Sequence, residues 1–269
     1  MMKKIIYLSV ALAIVLLSMA VAGGCSTAGV QLEDDQIKDA DHIEDIKAAL
    51  GEIVNVKPGD LTLSPMSEGN IYIFFTADKT AMYTYDAEFA YVSGIGFNEA
   101  TIPSENMIDL DTAKATTLSF LQQYYPMEHF AGMKLIHGEL SDHGSYKTYN
   151  FLWQQEINGI LGPNLVSVGV DPYNGKVFRY SSKRADVTIS NFTPGISEEE
   201  VVALAESILT LDPSHTITHS EARLGIWLHP DTGKDYLRWT VSIETEFEDE
   251  TVGGYVFEFD AVTGELVRH

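Results

Sequence analysis

Apolar residues change from helical spacing to strand spacing in the last part of the chain, between Ser197 and His269. Ser197 and Glu200 have the spacing of a capping box, and the apolar residues after them recur every three or four positions. A helix over residues 197–209 is therefore predicted. Three runs of alternating apolar and polar residues follow, and each predicts a strand covered on one face. Their apolar members are Leu224, Ile226 and Leu228, then Leu237, Trp239, Val241 and Ile243, then Tyr255, Phe257 and Phe259.

The same order of elements is predicted in the middle of the chain. Asp111 stands where a helix cap is expected, and Pro126 follows the helical spacing as a stop. Strands are predicted behind this helix at 133–136, 149–153 and 165–170. The helix positions expected to face a core are Ala113, Thr117, Phe120, Leu121 and Tyr124.

One form of turn occurs in both segments: an Asp, three residues, a Gly, a charged residue and an aliphatic residue. It runs from Asp171 to Val177 and again from Asp260 to Leu266. Asp can accept hydrogen bonds from the turn backbone, and Gly can adopt positive φ. Each copy therefore predicts a tight connection between two strands.

A third, degenerate copy is predicted near the start of the mature chain, where Asp86 stands in the place of the turn Asp but no Gly follows at the right spacing. We therefore predict an α+β fold of tandem units, each one helix packed on an antiparallel β-meander, at residues 39–105, 106–188 and 192–269. The helix face of the first unit comprises Ile43, Ile46, Ala49, Leu50 and Ile53. Its strand-like runs are 71–75, 82–85 and 89–92.

The N-terminus has the features of an export signal. Lys3 and Lys4 precede a nearly continuous apolar run, and small residues lead from it to Cys25, the single cysteine of the chain. This arrangement resembles the lipobox of lipoprotein signal peptides, in which the thiol receives a diacylglycerol. Ala22 is a departure, because Leu is usual there.

These features predict a lipoprotein signal peptide at residues 1–24, a lipid on Cys25 and a flexible tether at 25–38. The mature protein is then expected outside the cytoplasm, anchored to the outer face of the cytoplasmic membrane. A plain secretory signal or an uncleaved membrane helix, with the cysteine incidental, is the alternative.

The chain is strongly acidic, with a formal net charge of -22 at pH 7. Such a surface repels nucleic-acid phosphates and anionic lipid headgroups, which argues against nucleic-acid binding. Solubility is the simplest explanation of the charge, and a cationic partner or divalent ions are the alternative. A single cysteine also rules out an internal disulfide, so the stability must come from an apolar core.

The last two copies resemble the PepSY superfamily, and most closely its YcdB/YcdC-type repeats, over about residues 110–269. The resemblance rests on the helix that begins at Ile196, on the Trp-bearing segment 149–159 and on the turn segment 168–177. The end of the chain is also similar to the propeptide domain of thermolysin-type metallopeptidases, in the segments 237–243 and 259–266.

This resemblance implies an extracytoplasmic module without catalytic activity, because members of the superfamily are generally of that kind. The propeptide branch inhibits its peptidase and helps it to fold. No HExxH zinc motif is present, so a restrained peptidase would have to be a separate protein. We expect a non-enzymatic binding or regulatory module with a protein partner and no cofactor. A small-ligand or cation-binding receptor of a transporter or sensor is the alternative, and a hydrolase with an unrecognised site is a third hypothesis.

Two groups of residues are candidate ligands for a metal. His215 and His219 are four residues apart, a spacing that puts both imidazoles on one face of a strand or helix, but a third ligand cannot be named. Glu244, Glu246, Glu248, Asp249 and Glu250 form the densest acidic cluster, which could gather hard cations. The simpler interpretation of that cluster is a solvated strand edge whose charges prevent aggregation.

The remaining candidates are aromatic residues and one possible modification site. Large aromatic residues alternate along three of the predicted strands, and a shared core explains them better than a ligand site. They are Tyr149, Phe151, Trp153, Trp239, Tyr255, Phe257 and Phe259. Asn191, followed by Phe and Thr193, forms a glycosylation sequon between the second and third units.

Overall fold

A computed structural model describes residues 40–98, 103–104, 106–144, 146–209, 215–228, 234–247 and 251–268. The predicted signal peptide, Cys25 and the tether lie outside these residues. Among the helices described, none has the length and apolarity needed to cross a membrane.

Within the residues just given, three α-helices form where helical spacing predicts them: α1 (Ala40–Val54), α2 (Leu110–Tyr124) and α3 (Glu198–Ile208). The capping box of α3 is confirmed, since the Ser197 hydroxyl accepts from the Glu200 N–H and the Glu200 carboxylate accepts from the Ser197 N–H. The predicted core positions of α1 and α2 lie inward, with Ile46, Leu50 and Leu121 buried. On α3, Val201 and Ala205 are buried.

The predicted cap of α2 is wrong by two residues. Asp109, not Asp111, is the N-cap: its backbone is extended, and its Oδ1 accepts from the Thr112 N–H at 2.7 Å. Asp111 lies inside the first turn, where a carboxylate still interacts favourably with the positive end of the helix dipole. The two acids share the same local sequence signals, so helical periodicity alone does not separate them.

The described residues form twelve strands that join in one sheet. Across it the order is β1, β2, β3, β4, β8, β7, β9, β10, β11, β12, with β6 also beside β7 and β5 beside β6. The strands are β1 (Leu61–Leu63), β2 (Ile71–Thr76), β3 (Ala81–Asp86), β4 (Tyr91–Phe97), β5 (Met133–Asp142), β6 (Lys147–Ile157), β7 (Ile160–Val170), β8 (Val177–Lys183), β9 (His215–Leu228), β10 (Asp235–Phe247), β11 (Val252–Asp260) and β12 (Leu266–Arg268).

The predicted fold class is therefore wrong, because the strands do not form separate meanders with one helix each. β4 pairs with β8 from Gly94 to Gly96, and β7 pairs with β9 in parallel at Leu161 and Gly225. The result is one large mixed sheet with few helices. An unpaired strand edge exposes backbone N–H and C=O groups. Pairing the edges of neighbouring meanders gives these groups hydrogen bonds that they would lack in isolated units.

Two apolar clusters hold this sheet together, rather than one cluster for each predicted unit. The larger contains side chains of α1, α2 and β1 to β8, including Phe74, Phe151 and Tyr180. The smaller joins α3 to β9, β10 and β11. The Tyr180 hydroxyl donates to the Val92 carbonyl at 3.1 Å, and this hydrogen bond connects β8 to β4 inside the larger cluster. Residues that were expected in two different units thus share one core.

The Asp turn occurs three times, although Gly follows it only twice. Asp171 and Asp260 each accept from backbone N–H groups two or three residues ahead, and Gly175 and Gly264 have φ of 71° and 75°. Asp86 accepts from the N–H groups of Glu88 and Phe89 in the same way. Ala90 holds the position of the Gly with φ of 51°, a conformation that an L residue rarely adopts.

Replacing Ala90 with Gly should raise the free energy of unfolding by about 1 kcal/mol. The left-handed conformation costs an L residue about 1–2 kcal/mol, and the greater freedom of Gly in the unfolded chain offsets part of the gain. Urea unfolding of the two proteins measures the difference. Gly175→Ala is the matched control. Its added methyl would lie 3.6 Å from Ile108, an ordinary van der Waals contact, so the strain of a positive φ is the only reason for this variant to lose stability. A loss of stability in Ala90→Gly would contradict this account of the turn.

Candidate functional site

A buried arginine is the most unusual charged group in the described part of the chain. Arg238 lies on β10 between two core residues, Leu237 and Trp239, and its side chain points to the opposite face of the sheet from α3. It is only 9% exposed. Its guanidinium carbon lies 3.8 Å from the ring centroid of Trp227, and its Nη1 donates to Glu258 Oε2 at 2.8 Å. The stacked ring and the carboxylate together fix its position.

The hydrogen bonds of Arg238 are incomplete. Its buried Nε has no hydrogen-bond partner among the described residues. Burial lowers the pKa of Arg238 from its usual value, and the nearby Glu258 carboxylate counteracts part of that shift. A buried donor without an acceptor is uncommon in proteins and calls for a physical reason.

Two further cations of the sheet, Lys183 on β8 and Arg268 on β12, interact electrostatically with Arg238. Burial, and then the charge of Arg238, lower the pKa of Lys183. Arg268 is the cross-strand partner of Glu258, and its charge also lowers the pKa of Arg238. Neither Lys183 nor Arg268 forms an ion pair with a carboxylate of the described residues.

An open recess of about 490 Å³ lies beside the first Asp turn. Three carboxylates line it, from Glu68, Asp86 and Glu88, together with Met66 and Asn70. Asp86 already uses Oδ1 to hold its own turn. The recess is acidic and shallow enough to admit water freely, which is the setting of a weak cation site rather than of a catalytic carboxylate pair.

A group of exposed apolar side chains surrounds the third Asp turn, and it is called here the apolar patch: Leu204, Ile208, Val262 and Leu266. All four are exposed, from 38% for Leu204 to 52% for Val262. Leu204 and Ile208 are one turn apart on α3, and a Leu204 methyl carbon lies 3.9 Å from the point where a Cβ on Gly264 would stand. The patch therefore joins the helix surface to the turn between β11 and β12.

The predicted pairing of His215 and His219 on one face is not supported by the strand register. Glu244 pairs with His219, but Thr245 pairs with Ile217, so Thr218 is an extra residue in β9. Such a bulge breaks the period of two on which the prediction depends. Within the described residues, no group of three or more His, Cys, Asp and Glu could hold a metal ion.

The acidic cluster is only partly described. Glu244 and Glu246 lie on β10, while Glu248, Asp249 and Glu250 fall outside the described residues. Glu246 is exposed and Glu244 is half-buried. The strand edge interpretation and the cation interpretation both stay predictions.

The aromatic residues are core residues, as predicted. Tyr149, Phe151 and Trp153 stack along β6, with ring centroids 6.4 Å and 5.8 Å apart. Two of the polar tips bond to the backbone just before a helix: the Tyr149 hydroxyl donates to the Ile108 carbonyl, and the Trp239 indole N–H donates to the Ile196 carbonyl. These two hydrogen bonds stabilise the starts of α2 and α3.

Asn191 lies on an exposed segment without helix or strand, between β8 and α3. Its Oδ1 accepts from the Thr193 N–H at 3.0 Å, which makes a local Asx turn. An enzyme could therefore reach this sequon, and glycosylation at Asn191 stays a prediction.

Sequence patterns did not predict that Arg238 is buried. The one signal was a charged residue, Arg238, between Leu237 and Trp239 in an alternating run, which periodicity assigns to solvent. The packing of Trp227 over its guanidinium and its contact with Glu258 come from residues distant in the sequence.

Comparisons with known proteins leave the family of the chain open. No family model matches it, and no curated protein does. Among solved structures it is similar to the C-terminal domain of YpeB from Bacillus megaterium. The two share 16% sequence identity with a TM-score of 0.42, over 84% of this chain and 95% of that one. A TM-score below 0.5 does not establish membership of a family, and no function follows from it.

Proposed function

We propose that this chain is a non-enzymatic binding module of PepSY type, anchored outside the cytoplasm through a lipid on Cys25, that regulates another protein of the cell envelope. An extracytoplasmic peptidase is the first candidate for that protein. The features of the first 25 residues support the anchor, and the resemblance of the end of the chain to inhibitory propeptides supports the choice of partner.

The apolar patch is the observation that carries the proposal. Single exposed apolar side chains are ordinary, but a contiguous group of them is characteristic of a surface that contacts another protein. Leu204 and Ile208 belong to a helix that opens with Glu198, Glu199 and Glu200, so the patch has an acidic border. An apolar centre with a polar rim is the usual anatomy of a protein interface.

A lipid on Cys25 would strengthen such a contact without any new bond. Two proteins held at the same membrane meet at a raised effective concentration, so a weak interface suffices. A segment of small, polar and acidic residues follows the cysteine and would let the folded part move relative to the membrane.

The experiment is a cross-linked pull-down of the tagged protein from its own membranes. The wild type should enrich one envelope protein, and the double variant Leu204→Ser/Ile208→Ser should lose most of that enrichment. The matched control is Val252→Ser/Val256→Ser, which removes two exposed apolar side chains of β11 away from the patch. Cys25→Ser should release the protein into the medium and reduce the enrichment as well. A wild type that enriches no envelope protein contradicts the proposal, and a Cys25→Ser variant that stays in the membrane contradicts the anchor.

The alternative function is a receptor for a cation or small ligand, and the acidic recess at Glu68, Asp86 and Glu88 favours it. An open recess with three carboxylates attracts divalent cations and could orient a positively charged ligand. A stability that rises with calcium in the wild type, and not in Glu68→Gln, would support this alternative.

A further inference from the structure

The outer side of β11 is an open edge of the sheet over most of its length. β12 pairs with β11 only at Glu258 and Phe259, and no other strand of the described residues pairs with 252–257 on that side. The segment 252–257 contains no charged residue, although the chain has a net charge of -22. Val252 and Val256 are 49% and 37% exposed. The edge is therefore apolar and accessible.

The backbone of this edge has hydrogen-bonding groups to offer. The Asp260 N–H donates to the Glu265 carbonyl at 2.9 Å, so the backbone groups of Asp260 point away from β10. These groups alternate in direction along a strand, which turns the N–H and C=O groups of Val252, Gly254 and Val256 away from β10 as well. The part of the chain that the structure describes gives them no partner. An apolar edge of this kind is a template for another strand.

Other free edges of the sheet have features that prevent such pairing. β5 contains an extra residue, Ile136, opposite β6, and carries the charges of Lys134 and Glu139. β9 contains the extra residue Thr218, and β1 and β12 have three residues each. Bulges, charges and short length are the usual protections of an edge strand. β11 has none of them at 252–257, where its register with β10 is unbroken.

The edge of β11 is complementary to itself. When two copies pair in antiparallel fashion about a two-fold axis at Gly254, Val252 lies opposite Val256 of the second copy on one face of the sheet. On the other face, Tyr255 lies opposite Gly253 of the second copy. A glycine leaves room for an aromatic ring across the strand pair, and such pairs stabilise sheet edges. No charged side chain opposes another in this register, so the acidic character of the chain does not prevent it.

We propose that two copies of this chain associate through 252–257 of β11, antiparallel about a two-fold axis at Gly254, so that their sheets become continuous. The outward N–H and C=O groups of each copy then pair with those of the other. The occupant of the edge is a second copy because the pattern matches itself in this register. The edge lies at the opposite end of β11 from the apolar patch, so the pair leaves that patch free for another protein.

Sedimentation equilibrium of the purified full chain in a Cys25→Ser background should show a monomer–dimer equilibrium. Gly254→Pro removes the outward N–H and keeps the pairing with β10, and Gly254 has no positive φ that proline would disturb. Two symmetric hydrogen bonds are lost, so association should weaken by about tenfold or more. Gly254→Ala is the matched control, because its Cβ would meet only the Ile243 carbonyl oxygen, at 3.9 Å. It should associate like the parent.

Cysteine cross-linking tests the register, since Cys25→Ser leaves the introduced thiol as the only one. Opposed Cα atoms of a hydrogen-bonded pair are about 5.5 Å apart, which a disulfide can span. Gly254→Cys should therefore form a dimer on mild oxidation. Val252→Cys and Val256→Cys should cross-link with each other in a mixture and not when alone. Ile136→Cys, at an equally accessible position on the protected edge of β5, should stay monomeric.

A parent protein that is monomeric at every concentration overturns the proposal. So does equal association of Gly254→Pro and Gly254→Ala, or an Ile136→Cys variant that cross-links as readily as Gly254→Cys. If circular dichroism shows that Gly254→Pro is unfolded, Val256→Lys takes its place, because a charge at this exposed position should block the edge equally. All of these measurements use the purified protein, so they are independent of the envelope partner in the proposed function.

Discussion

Replacing Phe151 with Ala is expected to lower the free energy of unfolding by about 3–5 kcal/mol. Phe151 is 1% exposed and stacks between Tyr149 and Trp153 in the larger core. Truncation removes its buried apolar surface and leaves a cavity that a sheet of paired strands cannot close. The same core contains side chains of β2, β3 and β4, so the loss should extend to strands far away in the sequence.

Urea unfolding measures the loss of stability, and native-state hydrogen exchange shows which strands become less protected. In Phe151→Ala, amide protection should fall in β2 to β4 as much as in β6. The matched control is Phe259→Ala, which removes the same side chain from a position of equal burial in the smaller core. Its effect should be strongest in β9 to β11. Unchanged protection of β2 to β4 in Phe151→Ala would mean that the segments fold as independent units.

Replacing Glu258 with Gln is expected to lower the free energy of unfolding by about 3 kcal/mol, because it leaves the buried Arg238 charge without its ion-pair partner. The side chains of Arg238 and Glu258 are 11% and 18% exposed, so solvent screens the pair weakly. Urea unfolding at neutral pH measures the change.

The matched control is Glu221→Gln, which breaks the pair of Arg223 and Glu221 on the neighbouring strand. Those side chains are 63% and 41% exposed, and the loss of such a surface pair should cost less than about 1 kcal/mol. Equal effects of the two variants would show that Arg238 is hydrated in solution. Added formate should restore part of the stability of Glu258→Gln, because a small carboxylate can replace the missing one.

Several local features could be predicted from the sequence because neighbouring residues determine them. The Ser197 and Glu200 capping box needs only a spacing of three, and both of its hydrogen bonds form. The turns that contain Gly175 and Gly264 depend on one Asp side chain and one positive φ, which few residues tolerate. Alternation along β6 and β10 likewise identified Phe151, Trp153 and Trp239 as core residues.

Other features could not be predicted because they depend on contacts distant in the sequence. The pairing of β4 with β8 uses backbone hydrogen bonds, which are chemically alike for every strand and leave little trace in residue type. The bulge at Thr218 invalidated the spacing argument for His215 and His219. Ala90 occupies a position where glycine was expected, since the surrounding turn overcomes its conformational cost.

The sequence by itself determined the helices, most of the strand-forming runs, two of the three Asp turns and the aromatic core positions, because periodicity and local hydrogen bonding act over a few residues. Only the tertiary structure decided that the strands join in one sheet, that residues of two expected units share one core, and that Arg238 is buried beside Trp227 and Glu258. Those outcomes depend on which strand edges pair and on which side chain covers another. A ring such as Trp227 can bury a charge that every local rule assigns to water.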